Sequence, residues 1–294
     1  MTGAVARAVR RWLVHPVEAV AAGAILVMLW LLPIDWASGL GGALARTLGP
    51  LLPVSQQARR NLRRALPALD DAAIERVVRG VWDNLGRVVG EYPHLRRIGA
   101  TRVELIGAEH LDRLRDDGAP GICFSGHIGN WELLPVMTAR HGVPLSNVYR
   151  AANNRHIDRL LRILRADSVE LIPKGSAGAR QMIAALGRGA HLGMLVDQKM
   201  NDGIPADFFG RPAMTAPALA QLALKYGCPV LPGRVERLGG ARFRMIVEPP
   251  LALPHSGDRA ADTRALTETV NRTLERWIAA RPEQWLWLHR RWPD

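Results

Sequence analysis

Residues 121–135 read GICFSGHIGNWELLP. The apolar run at 121–125 predicts a short buried strand. Ser-Gly-His then leaves that strand, and Asn130-Trp131-Glu132 opens what reads as a helix. Pro135 is comfortable only in a first turn, which sets the helix start near Trp131 or Glu132. Gly126 and Gly129 allow the backbone to turn sharply between the two elements. His127 and Glu132 are five residues apart, and at about 100° per residue such positions lie roughly 140° from each other on a helix. They meet only if one lies outside the helix. The turn puts His127 on a loop at the sheet's edge with Glu132 facing it from the helix N-terminus, where open α/β folds bind ligands.

The chemistry of such a pair is specific. An imidazole titrates near neutrality, and a carboxylate on its second nitrogen fixes the tautomer and steadies the imidazolium. A base of this kind contributes about 10²–10⁴ in rate. Lacking a nucleophile of its own, the pair suits activation of a substrate hydroxyl. The backbone N–H groups after Gly129 could receive a developing oxyanion. A structural His–Glu pair in a loop has the same spacing. Ser125 and Cys123 belong to the apolar run and to no G-x-S-x-G elbow, so neither reads as a nucleophile.

Outward from this stretch, short apolar runs alternate with helical patterns. Strands are predicted at 103–106, 145–149, 169–172, 192–196, 230–235 and 243–247. Helices are predicted at 131–140, 157–166, 177–186, 216–225 and 263–280. In residues 70–92, Ile74, Val77, Val78, Val81, Leu85, Val88 and Val89 fall at helical spacing behind Asp70 or Asp71 as N-cap. The alternation predicts an α/β domain with a largely buried sheet. No repeat, low-complexity tract or interdomain linker interrupts it.

The 294 residues, 48% of them hydrophobic, suffice for a full core and argue against wholesale disorder. The net charge of +12 comes from Arg far more than Lys. It suits contact with phosphate, an anionic membrane surface or an acidic carrier; a codon preference for Arg gives the same surplus. No nucleic-acid-binding motif is present. Cys123 and Cys228 sit in or beside apolar stretches and read as buried reduced thiols, without a disulfide framework or zinc spacing.

Arg7, Arg10 and Arg11 precede an uncharged apolar run from Ala19 to Leu32 that ends at Pro33-Ile34-Asp35. The run is shorter than the roughly 20 residues of a comfortable span. Residues 36–69 hold no acid but include Arg46, Arg59, Arg60, Arg63 and Arg64. A hydrophobic plug flanked by arginines reads as a membrane anchor beside anionic headgroups. A signal peptide and a buried core helix are the competing readings. Trp285, Trp287 and Trp292 beside His289, Arg290 and Arg291 resemble an interfacial aromatic–basic edge, although core packing fits the first two equally.

At SGHIGNWE the chain resembles the lauroyl and myristoyl acyltransferases of lipid A biosynthesis, within the lysophospholipid acyltransferase superfamily marked by His-x4-Asp/Glu. ARRNLRRALP (58–67), NVYRAANNRHIDRLLRILR (147–165), GMLVDQKMNDG (193–203) and EQWLWLHRRW (283–292) carry the resemblance further. It implies a mixed central sheet flanked by helices, with an N-terminal hydrophobic anchor helix and basic flank at 1–56 and an acyltransferase domain at 57–294. It implies transfer of a fatty acyl group from an acyl carrier protein thioester to a hydroxyl of a phosphorylated lipid A precursor, with no metal or redox cofactor. His127 resembles the family's base and Glu132 its partner. Arg150, Arg165, Asp197 and Asn130 are the substrate-binding candidates, the arginines for phosphate or an oxyanion and Asp197 to accept a hydrogen bond or order an arginine. The expected location is the inner membrane, with the catalytic domain on the cytoplasmic side. The glycerophosphate branch's Glu-Gly-Thr-Arg segment is missing; IPKGSAGAR (172–180) stands in the comparable region. An acyl-CoA-dependent glycolipid or lysophospholipid acyltransferase, and a non-enzymatic lipid- or carrier-binding protein, are the alternatives.

Overall fold

A computed structural model describes residues 14–165 and 170–293. The described residues open with five α-helices: α1 (His15–Leu31), α2 (Ile34–Leu48), α3 (Ser55–Ala65), α4 (Asp71–Glu91) and α5 (Leu95–Thr101). An alternating stretch follows: β1 (Val103–Ile106), α6 (Ala108–Asp116), β2 (Ile122–Ser125), α7 (Leu133–Arg140), β3 (Leu145–Tyr149) and α8 (Arg155–Leu164). It continues through β4 (Glu170–Pro173), α9 (Ser176–Gly187) and β5 (His191–Leu195). A hairpin, β6 (Ile204–Asp207) with β7 (Pro212–Thr215), leads to α10 (Ala218–Tyr226), β8 (Val230–Gly239), β9 (Arg242–Val247) and α11 (Arg259–Ala280).

Seven strands form one sheet in the order β1-β9-β8-β2-β5-β3-β4. All pairings are parallel except β8 with β9. This is the expected mixed central sheet flanked by helices. β2 lies in its middle because Ile122 and Phe124 bury against neighbours on both sides. Asp70 caps α4 as expected, its carboxylate accepting from the Ala73 N–H. Two features differ from expectation. Helices α2, α3, α5 and α6 carry glycine, arginine or short mixed sequence that the apolar period does not mark. The β6–β7 hairpin is masked by Pro205, Pro212 and its glycine turn. Ala166 and Val169, at the edges of an expected helix and strand, lie outside the described residues.

The N-terminal segment also differs. Pro33 is extended and stops the run, so α1 is a 17-residue helix. No helix among the described residues is long and apolar enough to cross a membrane. Arg7, Arg10, Arg11 and Leu13 of the expected anchor lie outside the described residues. Both ends of α1 are tied down. Asn154 Nδ2 donates to the His15 carbonyl at 2.8 Å and to Glu18 at 2.9 Å, and the His94 ring meets the Leu29 carbonyl at 3.0 Å. Even so, Val20, Trp30, Leu31, Trp36, Leu48 and Leu51 along α1, α2 and the following turn remain exposed. Helix α2 packs on α4 through glycines: a Cβ on Gly41 would stand 2.2 Å from the Gly86 carbonyl oxygen. This part of the expected anchor is therefore built into the body. Helix α3 buries Ala58 and Leu62, while Arg59 pairs with Glu75 and the exposed Arg63 with Asp71.

Trp285, Trp287 and Trp292 are buried, which corrects the interfacial reading. Each indole N–H has an acceptor inside: Asp197, the Pro282 carbonyl and the Phe208 carbonyl. A core takes up these aromatics because their polar edges are satisfied. Arg291 is fully buried with them, bonded to Met214 O and Thr215 Oγ1, and burial lowers its pKa to about 10.

Candidate active site

The site forms at the C-terminal edge of β2 and β5. These strands pair in parallel with Ser125 opposite Leu195. Two residues further along each strand stand His127 and Asp197, so the register delivers an imidazole and a carboxylate to one place. His127 Nδ1 lies 2.8 Å from Asp197 Oδ1, and the His127 backbone N–H donates to Oδ2 at 2.9 Å. The Trp285 indole donates to the same Oδ2 at 2.7 Å. Asp197 is fully buried. Burial alone would raise its carboxyl, but the charge and hydrogen bonds of His127, with nearby His289, hold it well below the usual carboxylate range. An ionised Asp197 only accepts, so Nδ1 is the protonated nitrogen facing it, and in the neutral form of the ring Nε2 is the nitrogen left with a lone pair.

The loop that carries His127 is pinned on both sides. Gly129 has φ +57°, and a Cβ there would stand 1.9 Å from the Val235 carbonyl oxygen, so only glycine fits. Its N–H donates to Gln284 O, and its carbonyl accepts from Asn84 Nδ2. The His127 carbonyl accepts from the Leu286 N–H. The Gly129 N–H is thus unavailable to an oxyanion.

Glu132 does not reach the His127 ring nitrogens, which corrects the expected dyad. Its carboxylate pairs with Arg165, Oε1 at 2.5 Å from Nη2 and Oε2 at 2.9 Å from Nε. The Trp131 indole adds a donor at 3.2 Å. Burial works against the Arg165 charge, yet the Glu132 hydrogen bonds and charge more than offset it and keep the guanidinium firmly protonated. Asn130 also departs from expectation. It is fully buried, its amide donates to Glu91, and it is not on the cavity wall. Glu91 in turn holds Ser38 and the buried Arg237, so Asn130 ties the catalytic loop to α2 and β8.

His127, Glu132, Arg150 and Arg165 all line one cavity of about 270 Å³. Its mouth also carries Trp131, Tyr149, Lys174 and Gln198, and its depth is lined by Cys123, Phe124, Leu145, Met194, Leu231 and Met245. The cavity lies between the sheet and helices α6 and α7, apolar within and polar at the strand ends. Burial pushes the Cys123 thiol up to about 12, so it presents the cavity with an inert thiol. Spacing alone did not single out Lys174, Gln198 or Trp285. Lys174 sits in the IPKGSAGAR segment, whose odd composition was the available signal.

Residues 8–294 match the model of the family described as bacterial lipid A biosynthesis acyltransferase. The chain belongs to this family. A lipid A biosynthesis acyltransferase of Haemophilus influenzae is 23% identical over 277 residues, covering 90% of this chain and 83% of that protein. The crystal structure of the 1-acyl-sn-glycerophosphate acyltransferase PlsC from Thermotoga maritima aligns with a TM-score of 0.38 at 12% identity, over 78% of this chain and 98% of that one. Membership of this family makes the protein an acyltransferase, and the cavity mouth is its candidate reaction centre.

Proposed function

We propose that the protein transfers a fatty acyl group from an acyl carrier protein thioester to a hydroxyl of a phosphorylated lipid A precursor. The observation that carries this reading is the His127–Asp197 pair at the polar mouth of an otherwise apolar cavity. His127 Nε2 takes the proton of the acceptor hydroxyl as its oxygen attacks the thioester carbonyl. The new C–O bond forms, the C–S bond breaks, and the imidazolium returns the proton to the leaving thiolate. Asp197 stays ionised and steadies the imidazolium. Glu132 orients Arg165, which lines the same cavity and offers its charge to the developing oxyanion. The hydrocarbon lies in the apolar depth of the cavity. No metal or redox cofactor takes part.

The exposed apolar side chains of α1 and α2 support contact with a membrane, and the location that goes with this reading is the cytoplasmic side of the inner membrane. The chain's positive charge favours both an anionic leaflet and an acidic carrier.

Purified protein in detergent, offered acyl carrier thioester or acyl-CoA with a lipid A precursor, a phosphatidylinositol mannoside or a lysophospholipid, tests the reading by mass spectrometry of the products. Acylated lipid A precursor from the carrier thioester is expected. Product only from acyl-CoA, or only on another acceptor, overturns it.

A further inference from the structure

Most cations around this site are spoken for. Arg162 lies on Asp158, Arg237 on Glu91 and Arg165 on Glu132. Arg150 and Lys174 are different. Both line the cavity, and neither makes an ion pair or side-chain hydrogen bond with any described residue. Their proximity follows from the sheet. Tyr149 pairs with Pro173 across β3 and β4, so the next residue of each strand, Arg150 and Lys174, leaves the edge side by side. Adjacent strands lie about 4.8 Å apart. Lys174 is solvent-accessible along the cavity wall, yet the protein around it lowers its ammonium pKa; Asp197 opposes that shift and Arg150 adds to it. Two like charges held together beside a carboxylate that His127 already occupies leave an unmet demand for an anion.

The geometry also says which anion. Along the sheet edge the order runs β2, β5, β3, β4, so His127, Asp197, Arg150 and Lys174 stand on successive strands. Arg150 and Lys174 are thus two to three strand spacings from the base, about 10–14 Å across the sheet edge. An anion held there is a remote handle on the substrate, not the reacting group. A doubly charged phosphate ester suits one fork-shaped and one point-like cation, whereas a lone carboxylate leaves one of them unmatched.

We propose that Arg150 and Lys174 form the phosphate site of this cavity, gripping the phosphate ester of a substrate whose reacting group lies at His127. The inference rests on the proposed function only for the source of that ester, the phosphorylated glycolipid or the phosphopantetheine arm of the carrier.

Pyridoxal 5′-phosphate, a phosphate ester bearing an aldehyde, tests the site without any turnover. Its aldehyde condenses with the Lys174 amine to an imine with loss of water, and borohydride reduces the imine to a stable secondary amine. Peptide mass spectrometry then compares Lys174 with Lys199 and Lys225, the other two lysines of the chain. Lys174 is expected to label about tenfold faster with pyridoxal 5′-phosphate than with phosphate-free pyridoxal, and Arg150→Met to abolish that preference. Equal labelling by the two aldehydes, or a preference that survives Arg150→Met, overturns the proposal whether or not the protein transfers acyl groups. Protection by the phosphorylated disaccharide lipid in micelles but not by its dephosphorylated form names the glycolipid as the source. Protection by phosphopantetheine names the carrier, and protection by neither overturns the site. In turnover, Lys174→Met raises KM for the protecting substrate about tenfold with kcat within about twofold, and Lys174→Arg restores it. A fall in kcat at unchanged KM counts against the assignment.

Discussion

Asp197 is fully buried and holds a histidine; Glu132, nearly as buried and five residues from that histidine in sequence, holds an arginine. The two carboxylates stand beside one cavity mouth and differ in what reaches them. Asp197 receives the ring Nδ1 and backbone N–H of His127 and the Trp285 indole. Glu132 receives two N–H donors, Nε and Nη2, from one edge of a guanidinium. The difference teaches that a partner across the sheet outranks a partner along the chain. Strand register places His127 and Asp197 at the same height past neighbouring strands, whereas Glu132 stands at the N-cap of α7.

The comparison breaks most visibly at the histidine end. Replacing His127 by Ala removes the base, and kcat is expected to fall about 10³–10⁴-fold in the acylation assay. Asp197→Asn leaves the ring in place but no longer demands the Nδ1–H tautomer, so a loss of about 10³-fold is expected. Retention of wild-type turnover by either variant would show that the pair is structural. Asp197 also has a stability signature. Its carboxyl is lowered from an ordinary value of 3.8 in the folded chain, so its contribution is whole above that value and disappears as pH falls through the lower folded value. In urea titrations the stability gap between wild type and Asp197→Asn should hold steady from neutral pH to about 5 and shrink below about 4. A gap that widens in acid contradicts that sign.

How far the sequence reached follows the same division. The strand, turn and helix of residues 121–135 were legible because an apolar run, two glycines and Pro135 are local signals, and the observed α7 starts at Leu133. The partner of His127 was not, because it depends on β2 lying beside β5 in register, which no spacing within one segment reports. Asp197 was reached by resemblance as a hydrogen-bond acceptor among the substrate-binding candidates, not as the partner of His127. Asn130 was misplaced for a related reason: its polar amide reads as site chemistry until Glu91, arriving from α4, is seen to hold it. The C-terminal tryptophans show the limit of composition, since an aromatic–basic run reads alike at a membrane edge and in a core that satisfies its indoles.

The arginine end should respond less. Glu132→Gln releases Arg165 without touching His127, and kcat/KM is expected to fall about 10–10²-fold through misplacement of the guanidinium. If Glu132 acts through Arg165, the double variant Glu132→Gln, Arg165→Gln costs no more than the worse single change. Losses that multiply instead would give Glu132 a role of its own in the reaction. Combined with Asp197→Asn, by contrast, Glu132→Gln should multiply, since the carboxylates have no partner in common.

The smallest test compares the two indoles. Trp285→Phe deletes one of three donors to a fully buried carboxylate that still carries its charge, and a loss of about three- to tenfold in kcat is expected. Trp131→Phe deletes a longer bond, 3.2 Å, to a carboxylate already gripped twice by Arg165, and should cost about twofold or less. Both phenylalanines keep an aromatic ring in place, and Trp131 meets the His127 ring edge-on at 5.0 Å, a contact that Phe can preserve. The ratio therefore reads the hydrogen bonds rather than the packing. A larger loss from Trp131→Phe would mean that the Glu132 end, not Asp197, governs the imidazole, and the order of the two carboxylates would have to be reversed.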